Sequence, residues 1–101
     1  MHREVFRYSF DPEISMQEVE ETLHLSILAV EGLHGESQVR LDASYCIAPE
    51  KHVLVVDAST AVGSDLARIF TSFAIREFGY DAFSVRQAEP KTKPEMAEVQ
   101  T

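Results

Sequence analysis

The stretch from Val53 to Tyr80, VLVVDASTAVGSDLARIFTSFAIREFGY, constrains the fold of this chain more than any other. Val53, Leu54, Val55, Val56 and Ala58 make an apolar run broken only by Asp57, and strand formers dominate it. Apolar positions then take up helical spacing at Val62, Leu66, Ile69, Phe70, Phe73 and Phe78. Gly79 stands where a helix commonly ends. A buried strand running into an amphipathic helix should therefore supply the largest share of the core. This is an instruction for folding and carries no chemistry of its own.

Around that unit the chain alternates strand and helix patterns. From Glu4 to Phe10, Phe6, Tyr8 and Phe10 share one side, and Val5, Arg7 and Ser9 the other, which predicts a strand with its aromatic side inward. Asp11-Pro12-Glu13 ends it. Ser15 with Glu18 three residues later is a capping box, and Val19, Leu23, Ile27, Val30 and Leu33 form the buried stripe of the helix that follows. Leu25 and Leu28 are expected to widen that face. His34 falls in the last turn, where an imidazolium would favour the negative end of the helix dipole, and Gly35 marks the stop.

Val39 to Ala48 reads as the clearest strand, with Val39, Leu41, Ala43, Tyr45 and Ile47 alternating against Arg40, Asp42, Ser44, Cys46 and Ala48. Pro49-Glu50-Lys51 makes a short turn and so a hairpin into the central run. Asp81 to Arg86 offers a last strand with Phe83 and Val85 inward. Residues 1–87 thus form one α+β sandwich domain. Residues 88–101, polar and carrying Pro90 and Pro94, read as a flexible C-terminal tail.

The order β-α-β-β-α-β resembles the ferredoxin-like split βαβ arrangement: a four-stranded antiparallel sheet, strands one and three central, with two helices on one face. The resemblance is to a fold, over about residues 3–87, and a fold so widely used implies little about activity. Within that frame several functions are disfavoured. The heavy-metal-carrier version needs two cysteines after strand one, whereas this chain has Cys46 alone. The RNA-binding version stacks bases on aromatics of its central strands, and HVLVVDAS has none. The amino-acid-sensing version favours a glycine-containing loop after strand one, where this chain has DPEIS. His2, His24, His34 and His52 show no metal spacing.

Charge narrows the partners. With 17 acidic residues against 9 basic ones the formal net charge is −8, which works against binding a phosphate backbone, so no nucleic acid is expected. No apolar run approaches the roughly 20 residues of a membrane span, so no membrane is expected either. The opening MHREVFRYSF lacks an apolar signal core, and a single cysteine fits a reducing compartment. The expected location is cytoplasmic.

Two sites are worth stating. The strand-to-helix segment gathers Asp57, Ser59, Thr60, Gly63 and Ser64, whose hydroxyls and N–H groups could receive a small anion at a helix start. It matches neither GxxxxGK[ST] nor GxGxxG, and it lacks the second Asp of a haloacid-dehalogenase-type phosphatase, Ser59 standing there instead. Helix capping is its simpler role. The second site is the uncovered face of the sheet. Arg7, Arg40, Asp42, Cys46 and Arg86 are expected to rim two apolar residues of the central strand, either Val53 and Val55 or Leu54 and Val56, as at a sheet-to-sheet contact. The leading expectation is a non-enzymatic association module without cofactor, a homodimer or a docking domain for a protein partner. Ligand sensing at Ser59–Ser64 is the alternative, and an enzyme built on Asp57 is disfavoured for want of an acid–base pair.

Overall fold

A computed structural model describes residues 4–88. The chain runs β1 (Val5–Phe10), α1 (Met16–His34), α2 (Glu36–Asp42), β2 (Tyr45–Ala48), a 3-10 turn (Pro49–Lys51), β3 (Val53–Asp57), α3 (Ala61–Phe78) and β4 (Phe83–Ala88). The fold is α+β: one four-stranded antiparallel sheet in the order β2-β3-β1-β4, and three helices among the described residues. Of the tail expected over residues 88–101, Ala88 is the last residue of β4, and residues 89–101 lie outside the described residues.

Strand alternation divides the sheet into a covered and an open face. Tyr8 sits opposite Leu54 and Val85, and Phe6 opposite Val56, so the β1 aromatics and Leu54 and Val56 share the covered side. Against them pack Val19, Leu23 and Val30 of α1 and Val62, Leu66, Ala67, Phe70 and Ala74 of α3, all buried. The rings of Tyr8 and Phe70 meet edge to face at 5.0 Å between centroids, a favoured aromatic arrangement. The two long helices also touch at their ends. His34 Nε2, at the end of α1, lies 2.7 Å from Asp65 Oδ2 near the start of α3.

The helix ends follow local chemistry. Ser15 caps α1 by accepting the Glu18 N–H, as the capping box predicts. Gly35 and Gly79 follow α1 and α3 with φ of +88° and +97°, a backbone region that glycine enters without a Cβ penalty.

The structure corrects the sequence expectation in two places. Glu36–Asp42 is a helix, so the strand expected over Val39–Ala48 is confined to Tyr45–Ala48. The physical reason is i,i+4 pairing: Arg40 donates to Glu36 at 3.0 Å and Gln38 to Asp42 at 2.6 Å, contacts that a strand cannot make. Val39 is the buried residue of α2, while Leu41, expected inward, is 79% exposed. The second correction concerns α1. Leu25, Leu28 and Leu33 point to solvent, Leu33 being 67% exposed. Thr22 and Ser26 are buried in their place, and Ser26 satisfies its hydroxyl by donating to the Thr22 carbonyl at 2.8 Å. No helix among the described residues is long and apolar enough to cross a membrane.

Tyr8 is an ionisable side chain buried in the core. Its hydroxyl donates to the Ala67 carbonyl at 3.1 Å and lies 2.7 Å from Thr71 Oγ1, a pair in which either hydroxyl can donate, and the Thr71 hydroxyl also reaches the Ala67 carbonyl at 2.7 Å. Burial raises its pKa above the ordinary 10.0, and the Thr71 hydrogen bond opposes that shift. The unfolded chain loses this proton near pH 10, whereas the folded chain keeps it to higher pH. Stability from this group is therefore full below pH 10 and falls as pH rises through the folded value.

Two substitutions test these arguments. Tyr8→Phe should cost about 1 kcal/mol at neutral pH, the net worth of one hydrogen bond. It should also flatten the decline of stability above pH 10, measured by urea denaturation between pH 8 and 11.5. Glycine positions should respond in opposite directions. A Cβ at Gly63 would lie 2.0 Å from the Asp57 carbonyl oxygen, so Gly63→Ala should destabilise by at least about 2 kcal/mol. At Gly32, on the exposed side of α1, a Cβ meets nothing within 4 Å, so Gly32→Ala should stabilise by about 0.5–1 kcal/mol.

Candidate functional site

The β3–α3 junction brings together Asp57, Ser59, Thr60, Gly63 and Ser64. Thr60 is the N-cap: its hydroxyl accepts the Gly63 N–H at 2.9 Å and donates to the Asp42 carbonyl at 3.1 Å. Asp57 accepts the Ser59 N–H at 2.9 Å, a local turn that aspartate favours. Ser59 Oγ in turn accepts the Glu4 N–H at 3.0 Å, and the Ser64 N–H goes to the Thr60 carbonyl. Each of these groups thus has an internal partner. What the cluster visibly does is join four pieces of chain: the entry to β1, the end of α2, the end of β3 and the start of α3.

The open face of the sheet is arranged differently. Register places Arg7 directly opposite both Val55 and Arg86, and Cys46 on the far side of Val55. The next row across the sheet reads Ala48, Val53, Ser9, Ser84. The central strand therefore turns Val53 and Val55 to this side, Val53 buried at 7% exposure and Val55 half-buried, with Leu54 and Val56 turned to the core. The face has an apolar lane over β2 and β3 and a basic lane over β1 and β4.

Arg40 and Asp42 are not on this face. They belong to α2, where Arg40 pairs with Glu36 and Asp42 accepts from Gln38 and, through its carbonyl, from Thr60. Their expected place on the sheet rested on the strand over Val39–Ala48 and fails with it. Arg7, Cys46 and Arg86 do lie on the open face, and all three are exposed.

The electrostatics of that face set it apart. Like charges directly opposite on neighbouring strands repel, so the Arg7–Arg86 pair works against the sheet that carries it. Among the described residues, neither guanidinium makes an ion pair or a side-chain hydrogen bond. The lane over β2 and β3 holds no acid in the two rows that contain Val53 and Val55; the next residue of β3 on this side is Asp57. Asp57, opposite Val5 at the end of β3, is engaged with Ser59. Among the described residues, a protein of net charge −8 thus keeps on the open side of its sheet two adjacent arginines that form no ion pair.

Sequence reasoning missed the His34–Asp65 contact, because the residues stand 31 positions apart and only the packing of α1 on α3 joins them. Among the described residues no group of three or more His, Cys, Asp or Glu side chains is placed to hold a metal ion. Comparison with protein-family models, curated proteins and solved structures returned no match.

The capping role of Thr60 is directly testable. Thr60→Ala removes the acceptor for Gly63 and the donor to Asp42, and should cost about 1–2 kcal/mol in urea denaturation. Thr60→Ser, which keeps the hydroxyl, should recover most of that loss.

Proposed function

We propose that this chain is a non-enzymatic association module whose open sheet face docks a protein partner bearing an acidic surface interleaved with apolar side chains. The observation that carries the reading is the adjacency of two lanes: Val53, Val55, Cys46 and Ala48 beside the in-register pair Arg7 and Arg86. Apolar residues supply contact area, and the arginines, with their fork of N–H donors, supply orientation and partner choice.

The same arithmetic ranks the forms of association. Two copies packed face to face would bring four arginines into one interface, and Asp57, the one acid on this side of the strands among the described residues, is engaged with Ser59. Buried charges without partners cost several kcal/mol each. An acidic partner of another kind removes that cost, so it is favoured over the face-to-face homodimer. We further read the fold as ferredoxin-like with α2 added between the first helix and the second strand; the central placement of β3 and β1 and the two long helices on one face support this. A free, exposed Cys46 supports residence in a reducing compartment such as the cytoplasm.

The test is a titration of the full chain with a synthetic peptide of alternating Glu and Val, followed by amide NMR. Saturable shifts at Val53, Val55 and Cys46 are expected, weakened about tenfold or more by Arg7→Glu and by added salt. Arg40→Glu on α2 should have no such effect. Equal sensitivity to the two reversals, or no saturation, overturns the reading. Native mass spectrometry of the same samples should give a monomer; a dimer lost on Val55→Glu would put a second copy on the face instead.

A further inference from the structure

A cleft lies on the covered side of the sheet, away from the arginine pair. It runs between α3 and the edge strand β4 and is lined by Phe6, Tyr8, Ala67, Arg68, Thr71 and Val85, with a volume of about 390 Å³. Its origin can be read from α3. Ala67 and Thr71 stand four residues apart on the side that carries the cleft wall, so small side chains stand where a leucine or phenylalanine would fill the space. The larger residues of the helix, Leu66 and Phe70, go to the core. Val85 is left 40% exposed on the floor although it faces the helix layer.

The lining is apolar apart from two kinds of group. At the bottom, the Tyr8 and Thr71 hydroxyls are engaged with the Ala67 carbonyl and with each other. At the rim, Arg68 is exposed and, among the described residues, forms no ion pair or side-chain hydrogen bond. The nearest acid on its own helix, Asp65, is held by His34. A polar end whose hydroxyls are already hydrogen-bonded asks nothing of a ligand, and an apolar floor rewards a hydrocarbon body. One free guanidinium at the mouth accepts a carboxylate through two parallel N–H···O bonds. The volume falls at the lower end of the range for small-molecule pockets, roughly 300–1,000 Å³.

We propose that this cleft is a binding site for a small amphipathic monocarboxylate, its apolar body lying against Phe6, Val85 and Ala67 and its carboxylate on Arg68. The site is independent of the open face: it uses the residues of β1 and β4 that alternate with Arg7 and Arg86.

Octanoate is the probe, titrated into the full-length protein and followed through the methyl resonances of Val85 and Thr71. Octylamine and octanol serve as charge controls. Octanoate should give saturable shifts confined to the cleft, and octylamine should bind more weakly. Arg68→Gln, a surface change that leaves the core intact, should weaken octanoate about fivefold while leaving octanol unchanged. Val85→Glu, which puts a like charge on the floor, should abolish octanoate binding. The proposal is overturned by any of three results: no saturation, an octanoate affinity indifferent to Arg68→Gln, or shifts spread equally over the exposed leucines of α1.

Discussion

The first turn of α3 rests on the end of β3 with room for a hydrogen at position 63 and for nothing larger. Everything else in the sandwich is placed by that approach. Because Gly63 lies against the Asp57 carbonyl, the helix leaves the strand at a fixed height above the sheet. Leu66 and Phe70 then descend onto Leu54, Val56 and Tyr8 to form the centre of the core. Thr60, at the cap, reaches across to the last carbonyl of α2, so the same turn also holds the additional helix. On the other side the Ala58 N–H goes to the Glu4 carbonyl at 2.8 Å, which aligns the entry to β1. A close backbone contact at one point thus sets the relation of four elements.

What could be read from the sequence follows from how locally each feature is encoded. The stretch Val53–Tyr80 carries its strand and its helix in its own periodicity, and both are present. The aromatic side of β1 was legible for the same reason. The segment Glu36–Asp42 was not, because Val39, Leu41 and Ala43 satisfy period two while the deciding information lay in the polar pairs Glu36–Arg40 and Gln38–Asp42. Spacing of four between Glu36 and Arg40 was present in the sequence beside the alternation of three apolar residues, of which Val39 alone is buried. The α1 leucines show the converse failure. Hydrophobicity alone assigned Leu25, Leu28 and Leu33 to the core, whereas the helix turns the shorter Thr22 and Ser26 toward the layer beneath it.

The candidate sites divide along the same line. The residues of the β3–α3 junction are consecutive or nearly so, and the sequence gathers them without help from the fold. The open face depends on register between strands up to about eighty residues apart, and only pairing shows that Arg7 faces Arg86 and that Val55 stands between Arg7 and Cys46. The cleft depends on a deficiency, the lack of bulk on one side of α3, which no motif announces. Charge is distributed with comparable economy. The three helices carry 8 of the 17 acidic residues, and the sheet keeps its open side free of acid in the row where its arginines stand.

Cys46 gives that face a chemical handle with consequences for handling the protein. It is the chain's single thiol, exposed on the edge strand β2 in the row that contains Val55 and Arg7. In air, two such thiols on separate molecules join as a disulfide, and the product is tethered through the open face itself. Oxidised material would therefore show a two-chain species whose contact surface is the docking face, produced by sulfur chemistry with no recognition involved. Reductant in the buffer separates the two, and a Cys46→Ser protein serves as the reference state in which that species has no covalent route to form.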